Sequence, residues 1–306
     1  MAAEAKAQTE LKDFKSLFSL DGKVVLVTGG SRGLGLHAAS AFLQAGCSKV
    51  YITSRKAAAC DEACAALNAL PNKRPGAKAI SVPADSAKIA GIEDLLAKIK
   101  ETTDHVDILF ANAGATWGEK FDTHPDSAFA KVMDLNVKSV FNTIRLFAPL
   151  LQKNATVEEP SRVIVTASIA GLGVGTLGDH ATFGYSASKG ISRPLNAVGM
   201  FNEYDWLTFL LAAVIHLTRN LAVELGPRHV LCNSIAPGFF PSKMANGLMS
   251  MEGGADAMAA KNPNGRLGRA EDIAGAVVYL ASRAASHVNG ACITLDGGAV
   301  WGKGRL

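Results

Sequence analysis

Short apolar runs alternate along this chain with longer segments of helical periodicity, and this alternation restricts the fold more than any other feature. Seven runs have the β-branched, apolar character of buried strands: KVVLVTG, KVYITS, AISVPAD, VDILFANAG, RVIVTAS, VLCNSIAPG and ACITLDGG. Between them lie segments with helical spacing, such as GLHAASAFLQAG and IEDLLAKIKETT. Alternating strands and helices form βαβ units with right-handed crossovers. The sequence therefore predicts an α/β fold, a single doubly wound (Rossmann) parallel sheet with helices on both faces.

The first predicted strand ends in TGGSRGLG and leads directly into a helix. Glycines let the backbone turn tightly and approach a pyrophosphate, and the following helix offers unpaired N–H groups at its positive end. A plain strand-to-helix turn is the alternative, but this position in the chain favours dinucleotide binding. The residues expected to contact the phosphates are Gly29, Ser31, Arg32, Gly33, Leu34 and Gly35.

The second predicted strand indicates which dinucleotide binds. NAD-binding proteins of this fold carry an acidic residue there for the ribose hydroxyl. This strand ends instead in Ser54, Arg55 and Lys56, and the next acidic residue is Asp61. Because arginine can grip a 2′-phosphate with two hydrogen bonds, we predict NADP(H) as the cofactor, with Arg32 assisting. The alternative is that Arg55 and Lys56 are solvated charges at the start of a helix.

With further motifs, the chain resembles the short-chain dehydrogenase/reductase family over residues 20 to 300, apart from one segment. The matching pieces stand in family order: TGGSRGLG, Asp85, ANAG at 111–114, Asn136 in LNVKSVF, Ser168 in VTASIAG, YSASK at 185–189, APG at 236–238 and DGG at 296–298. Ala111 departs from the Asn usual in the family, but Asn112 is in place. NAGATWGEKFD, VMDLNVKSVF and APGFFPSKM are similar to bacterial rhamnolipid-pathway 3-oxoacyl reductases and their fungal relatives. The resemblance implies a homodimer or homotetramer, with further cofactor contacts from Asp85, Asn112, Gly114, Tyr185, Lys189, Pro237 and Gly238.

Tyr185 and Lys189 carry the predicted chemistry. Their i, i+4 spacing places both side chains on one helical face. An ammonium beside a phenol lowers the phenol pKa from its ordinary value of ~10, which suits acid/base work near neutral pH. By resemblance, Tyr185 donates a proton to the substrate carbonyl as hydride arrives, and Lys189 also binds the ribose hydroxyls. The resemblance also implies that Ser168 holds the substrate oxygen and that Asn136 steadies a water chain leading to Lys189.

Two loops are expected to cover the site, at residues 171–184 and 237–244. Their apolar character suits a small-molecule carbonyl substrate of hydrophobic type, such as a 3-oxoacyl thioester or a polyketide-like ketone. The alternatives are that Phe239 and Phe240 pack the second loop onto the domain and that His180 is an exposed loop residue. Ser168 stands in TASIAG rather than in the G-x-S-x-G turn of a hydrolase.

One segment, residues 190–211, departs from the resemblance. In relatives the helix that carries Tyr and Lys continues unbroken, whereas here Gly190 and Pro194 follow, and an interior proline costs a helix ~3 kcal/mol. Removing the segment joins YSASK to AAVIHLTRNLAVEL, which restores helical periodicity. The segment is either a retained intron or a genuine insertion that forms an amphipathic flap beside the active site. The chain is accordingly an NADPH-dependent ketone reductase or, alternatively, a dinucleotide-binding protein with impaired turnover.

Composition and charge restrict the remaining classes. The formal net charge of +4 is too weak and scattered to indicate a nucleic-acid partner. The first 20 residues lack the apolar core of a secretion signal, and the longest apolar run, 206–217, is shorter than the ~20 residues that span a bilayer. Five dispersed cysteines fit a reducing compartment. We expect a cytoplasmic protein with no metal and no membrane partner, built of an N-terminal extension at 1–20 and one domain at 21–306.

Overall fold

All seven predicted strands are present and form one parallel sheet. The computed structural model describes residue 9 and residues 13–173, 176–189, 213–242 and 253–302. The strands are β1 Val24–Thr28, β2 Lys49–Thr53, β3 Lys78–Ser81, β4 Ile108–Ala111, β5 Ser161–Thr166, β6 Val230–Pro237 and β7 Cys292–Leu295. Their order across the sheet is β3-β2-β1-β4-β5-β6-β7. The strand order reverses between β1 and β4, where sheets of this kind bind ligands beyond the carboxyl ends of the strands.

Helices connect the strands. They are α1 Gly33–Gln44, α2 Ala57–Asn68, α3 Ile89–Lys100, α4 Asp126–Met133, α5 Ser139–Gln152, α6 Phe183–Lys189, α7 Ala213–Leu225, α8 Ala255–Lys261, α9 Ala270–Ala281 and α10 Ala299–Gly302. A π-helical turn at Asp134–Lys138 joins α4 to α5. Single 3-10 turns occur at Phe14–Ser16, Ile169–Gly171, Gly178–His180, Gly226–Arg228 and Arg283–Ala285. None of the helices in the described ranges is both long enough and apolar enough to cross a bilayer.

Both faces of the sheet are buried, which confirms the predicted α/β fold with helices on each side. Successive residues of β1 point to opposite faces: Val25 and Val27 pack in a cluster with α1, α2 and α9, whereas Val24 and Leu26 pack with α3, α5 and α7. The continuous apolar character of the strands follows, because a strand covered on both faces has no side for polar residues. Polar chemistry is left to the ends of the strands.

The loop after β6 attaches to this core through Phe240 and not through its neighbour. The Phe240 ring is 5% exposed and belongs to the cluster of α1, α2 and α9. Gly268 lies so close to the ring that even a methyl group there would overlap it. Phe239 is 37% exposed. The alternative that this loop packs onto the domain therefore holds for Phe240 only, and Met244 and the segment 190–211 lie outside the described residues.

We expect Phe240→Ala to lower the free energy of unfolding by about 3–5 kcal/mol, because it removes a buried ring and leaves a cavity. Phe239→Ala is the matched control and should cost under about 1 kcal/mol, as surface substitutions do. Urea unfolding followed by circular dichroism measures both. Equal losses in the two variants would contradict the assignment of Phe240 to the core.

Candidate active site

The loop between β1 and α1 is shaped for close approach of a ligand. Gly29 and Gly33 adopt positive φ values of 64° and 54°, where other side chains are strained. At Gly35, an added Cβ would overlap the carbonyl oxygen of Gly29. The first turn of α1 has no side-chain cap and no acidic residue. No acidic residue of this turn therefore competes for its N–H groups and positive dipole end, which is the environment that a phosphate requires.

The predicted selectivity residues lie at the neighbouring end of β2. The N–H of Gly30 donates to the carbonyl of Thr53 over 3.2 Å, which joins the glycine loop to this strand end. Arg32, Arg55 and Lys56 are exposed, and none of them takes part in an ion pair with another described residue. Their charges are therefore available to an external anion. Ser54 is partly buried, with its Oγ 3.0 Å from the Sγ of Cys60.

Asn112 holds together the ends of three strands. Its Nδ2 donates to the carbonyl oxygens of Thr28 and Gly29 over 3.2 and 3.3 Å. Its Oδ1 accepts from the Thr166 hydroxyl at 3.0 Å, and the Thr28 hydroxyl accepts the N–H groups of Asn112 and Ala113, both at 3.0 Å. Because these bonds link β1, β4 and β5, Asn112 stiffens the floor below the glycine loop.

The other predicted cofactor contacts border the same mouth. Asp85 follows β3 and accepts from the N–H of Ala87 at 3.2 Å. Gly114 follows β4 and lies against Oδ1 of Asn136, so that a Cβ there would sit 3.2 Å from that oxygen. Pro237 ends β6 and is buried. The N–H of Gly238 donates to Leu295 over 2.9 Å, and a side chain at Gly238 would press on Asp296.

Asn136 lies inside the π-helical turn and is fully buried. Its Oδ1 accepts the N–H of Ala115 and its Nδ2 donates to the Ala115 carbonyl, both at 2.9 Å. The same Nδ2 donates to the Ser188 hydroxyl at 2.9 Å, and that hydroxyl donates to the carbonyl of Tyr185 at 2.7 Å. Turns of this kind are frequent at functional sites. These bonds make Asn136 a positioning residue between the loop after β4 and α6, and its contact with a water chain stays a prediction.

Ser168, Tyr185 and Lys189 meet where β5 ends and α6 runs. The hydroxyl of Ser168 accepts the N–H of Ala170 at 3.2 Å and is hydrogen-bonded to the Tyr185 side chain. The Nζ of Lys189 lies 6.0 Å from the centre of the Tyr185 ring. Lys189 is buried and donates to the carbonyl of Thr166 over 2.5 Å. A phenol, a hydroxyl and a buried ammonium thus share one corner of the carboxyl edge of the sheet.

The pKa of Tyr185 departs from expectation. Burial raises it above the ordinary value of a phenol, and the hydrogen bond with Ser168 offsets this rise only in part. Lys189 is not among the groups that shift this pKa in the chain alone, where its ammonium donates to the Thr166 carbonyl, so the expected lowering is not seen there. Burial also lowers the pKa of Lys189 itself to about 8. Near neutral pH the phenol is therefore protonated, which is the form that donates a proton.

Three supporting residues were missed by the sequence reasoning: Thr28, Thr166 and Ser188. They act through hydrogen bonds to backbone groups and to amide side chains, which no spacing rule singles out. The sequence carries a weak signal for them, since each is a polar residue inside one of the family motifs TGGSRGLG, VTASIAG and YSASK.

Two loops meet over this corner. The N–H of Glu119 donates to the carbonyl of Ala181 over 3.1 Å, and the rings of Phe121 and Phe183 pack edge to face with centres 5.7 Å apart. Phe183 opens α6, two residues before Tyr185. His180 is exposed, which agrees with the alternative that it is a loop residue. An apolar rim therefore borders the groups that would perform chemistry.

We expect the burial of Lys189 to make the stability of the cofactor-free protein depend on pH. Its ammonium titrates at about 8 in the folded chain and at 10.5 when unfolded. Between these pH values the unfolded chain binds more protons, so the free energy of unfolding should rise with pH, by about 3 kcal/mol in total. Below pH 8 both states are charged and the penalty is complete. Urea unfolding of the wild type minus that of Lys189→Met isolates this effect, and parallel pH profiles would contradict it.

Comparison with known proteins finds relatives along almost the whole chain. The family model described as short chain dehydrogenase matches residues 23–198, and one described as enoyl-(acyl carrier protein) reductase matches residues 194–300. The chain is 37% identical over 281 residues to the rhamnolipids biosynthesis 3-oxoacyl-(acyl-carrier-protein) reductase of Pseudomonas aeruginosa, covering 92% of this chain and 97% of that one. It is 30% identical to the short-chain dehydrogenase/reductase PhomF of Diaporthe leptostromiformis, over 92% of each chain.

A solved structure is similar as well. The complex of Pseudomonas aeruginosa RhlG with NADP matches with a TM-score of 0.79 and 36% identity, covering 93% of this chain and 99% of that one. Four features point to the same family: the sheet order, the glycine loop, the sequence identity and the matched length. The chain belongs to the short-chain dehydrogenase/reductase family of oxidoreductases, which act on CH–OH and C=O groups.

Proposed function

We propose that this chain is an NADPH-dependent reductase of a hydrophobic ketone or 3-oxoacyl-type substrate, with Tyr185 as the proton donor. The observation that carries the proposal is the cluster of Ser168, Tyr185 and Lys189 at the carboxyl edge of the sheet. This cluster lies at the same edge as a glycine loop and an uncapped helix. A hydride donor held by the loop would therefore lie near the phenol.

The residues present fit NADP(H). The first turn of α1 lacks a protein anion, and Gly35 leaves room for close packing of the loop. Arg55, Lys56 and Arg32 would hold the 2′-phosphate, since their charges are exposed and not engaged in ion pairs with described residues. The NADP in the related RhlG complex supports this choice. When bound, the cofactor supplies the hydride.

The chain's own residues manage the proton and the charge. The Ser168 hydroxyl donates a hydrogen bond to the carbonyl oxygen of the substrate and orients it. As negative charge develops on that oxygen, the Tyr185 hydroxyl transfers its proton to it and the product leaves as an alcohol. The Lys189 ammonium, which donates to the Thr166 carbonyl in the chain alone, would then turn towards the phenolate that remains and stabilise it, because an opposite charge nearby favours the ionised phenol. The raised pKa of Tyr185 keeps the phenol protonated before this step.

The rim around the mouth supports an apolar substrate. Exposed aromatic and aliphatic side chains lie in the segments that follow β4, β5 and β6, namely Trp117, Phe121, Leu177 and Phe239. The relative from the rhamnolipid pathway, which is named for a 3-oxoacyl substrate, supports the same class. We extend the proposal to a homo-oligomeric, cytoplasmic enzyme on the strength of the family resemblance.

A second candidate function is a cofactor-binding protein with impaired turnover. The observation that favours it is that the two family matches end and begin at 198 and 194, inside the segment 190–211. We propose that this segment is a retained intron, with a genuine flap as the alternative. Sequencing the transcript decides between them. NADPH oxidation by the full chain and by a form without 190–211 decides whether the segment impairs turnover.

We expect Tyr185→Phe to reduce kcat with ketone substrates by at least about a hundredfold, the usual contribution of a general acid. The ring remains, so NADPH affinity, measured by fluorescence titration, should change less than about twofold. The Phe183→Leu variant is a control, since it alters α6 without removing the phenol. Activity of Tyr185→Phe close to that of the wild type would refute the proton-donor role.

We expect Arg55→Ala to weaken NADPH binding by about tenfold or more, because a charge-assisted bond to the 2′-phosphate is lost. NADH lacks that phosphate, and its dissociation constant should be unchanged. Titrations of both nucleotides with both proteins give the comparison. An equal loss for NADPH and NADH would show that Arg55 does not read the 2′-phosphate.

A further inference from the structure

The amino-terminal edge of the sheet holds a cavity, opposite the active site. It has a volume of about 240 Å³ and lies where β1, β4 and β5 begin, beside the turn that follows α9. Strand β5 connects the two edges. Arg162, its second residue, lines the cavity, and Thr166, its last, accepts the hydrogen bond from Lys189. At ~3.3 Å per residue the two positions are about 13 Å apart along the strand.

Arg162 is a buried cation without a direct ion pair among the described residues, and Glu159 acts on it only from a distance. It is 3% exposed, and its Nη1 and Nη2 donate to the carbonyls of Pro160 and Ser282 over 2.8 and 3.2 Å. Its Nε is buried and has no partner among the described residues, and no described carboxylate lies within ion-pair distance of it. A buried charge and a buried, unsatisfied N–H are both unfavourable. A negatively charged acceptor in the cavity would therefore reduce both costs.

Two further cations, Lys23 and Arg283, line the same cavity, and each lies near two acids. Both lie near Glu159, and the Nη1 of Arg283 also lies 3.2 Å from Oδ2 of Asp13. The Nζ of Lys23 lies 3.3 Å from Oε2 of Glu159, and the Nε of Arg283 lies 3.8 Å from Oε1. Glu159, whose side chain is half-exposed, thus lies near both cations. These pairs are partly exposed and therefore weak, because solvent-exposed ion pairs contribute little. A second anion could share the two cations.

The other acids of the cavity are already committed. Oδ1 of Asp21 lies 3.1 Å from the Nη1 of Arg74. Oδ2 of Asp107 accepts the N–H of Val24 at 2.7 Å, and its Oδ1 lies 3.8 Å from Lys23. Neither carboxylate pairs with Arg162. Both still repel an incoming anion, and together with Glu159 they limit its affinity.

We propose that this cavity binds a small oxyanion, a carboxylate or a phosphate, with Arg162 as the inner donor and Lys23 and Arg283 as the outer cations. The planar guanidinium matches both oxyanions, since each offers two oxygens at the spacing of adjacent N–H groups. The proposal is independent of the cofactor and of the reaction at the other edge.

Thermal unfolding tests the proposal on the full chain. Sodium phosphate and sodium acetate are each titrated against sodium chloride at equal pH and ionic strength. A ligand that binds only the folded chain raises the Tm in proportion to ln(1 + [L]/Kd). We expect a saturable rise with at least one oxyanion, and the arm that acts at the lower concentration identifies the preferred class. Any part of the rise that Arg55→Ala removes belongs to the cofactor edge, and the part that persists in Arg55→Ala belongs to this cavity.

Variants at the cavity complete the test. Lys23→Gln and Arg283→Gln alter side chains that are 30% and 41% exposed and so should fold. Each should raise the apparent Kd by about tenfold, the loss of one charge-assisted bond. Glu159→Gln should lower it by removing the competing carboxylate. Arg228→Gln is the matched control, since it removes the same charge from an exposed pair with Glu224.

The proposal is overturned if neither oxyanion raises the Tm beyond chloride. It is equally overturned if the rise is the same in the wild type, Lys23→Gln and Arg283→Gln. In either case the buried guanidinium serves only to tie β5 to the turn after α9 through Ser282.

Discussion

Burial of the sheet on both faces is the constraint on which the rest of this structure depends. Because β1, β4 and β5 are covered on both faces, polar side chains are unfavourable along most of their length. Charge and hydrogen bonding therefore concentrate at the two edges formed by the strand ends. The carboxyl edge holds the glycine loop, Ser168 and α6. The amino edge holds Arg162 and its cavity. The same packing thus explains why ligand chemistry concentrates at the ends of the central strands.

At the carboxyl edge, amide side chains replace the hydrogen bonds that the strands no longer provide. Asn112 satisfies carbonyls at the end of β1 and accepts from Thr166, while Asn136 pairs with both backbone groups of Ala115 and reaches Ser188. Networks of this type are rigid because a hydrogen bond is stronger inside the protein than in water, so that a buried polar group that leaves the network loses more free energy. They hold α6 and the glycine loop in a fixed relation, as a site that aligns a phenol with a cofactor requires.

Much of this arrangement is predictable from the sequence, and the reason differs from feature to feature. The strands follow from apolar runs and the glycine loop from steric preference, since the positive φ values at Gly29 and Gly33 favour glycine. The order of motifs, more than any single one, indicated the family. The difference between Phe239 and Phe240 was not predictable, because adjacent residues of the same type in a loop give no sign of which one faces the core. The pairing of Lys189 with Thr166 was missed for a similar reason, since a backbone carbonyl acceptor leaves no signature in the residue type.

By itself, the sequence determined the order of the elements, the positions that must be glycine, and the residue types that can bind phosphate or move a proton, because these depend on local sterics and on side-chain chemistry. Only the tertiary structure decided how those groups behave. Burial raises the pKa of Tyr185 and lowers that of Lys189, against the effect expected from their spacing, because the protein around them sets the cost of a charge. Packing likewise turned an arginine at the start of β5, unremarkable in the sequence, into a buried cation facing a cavity.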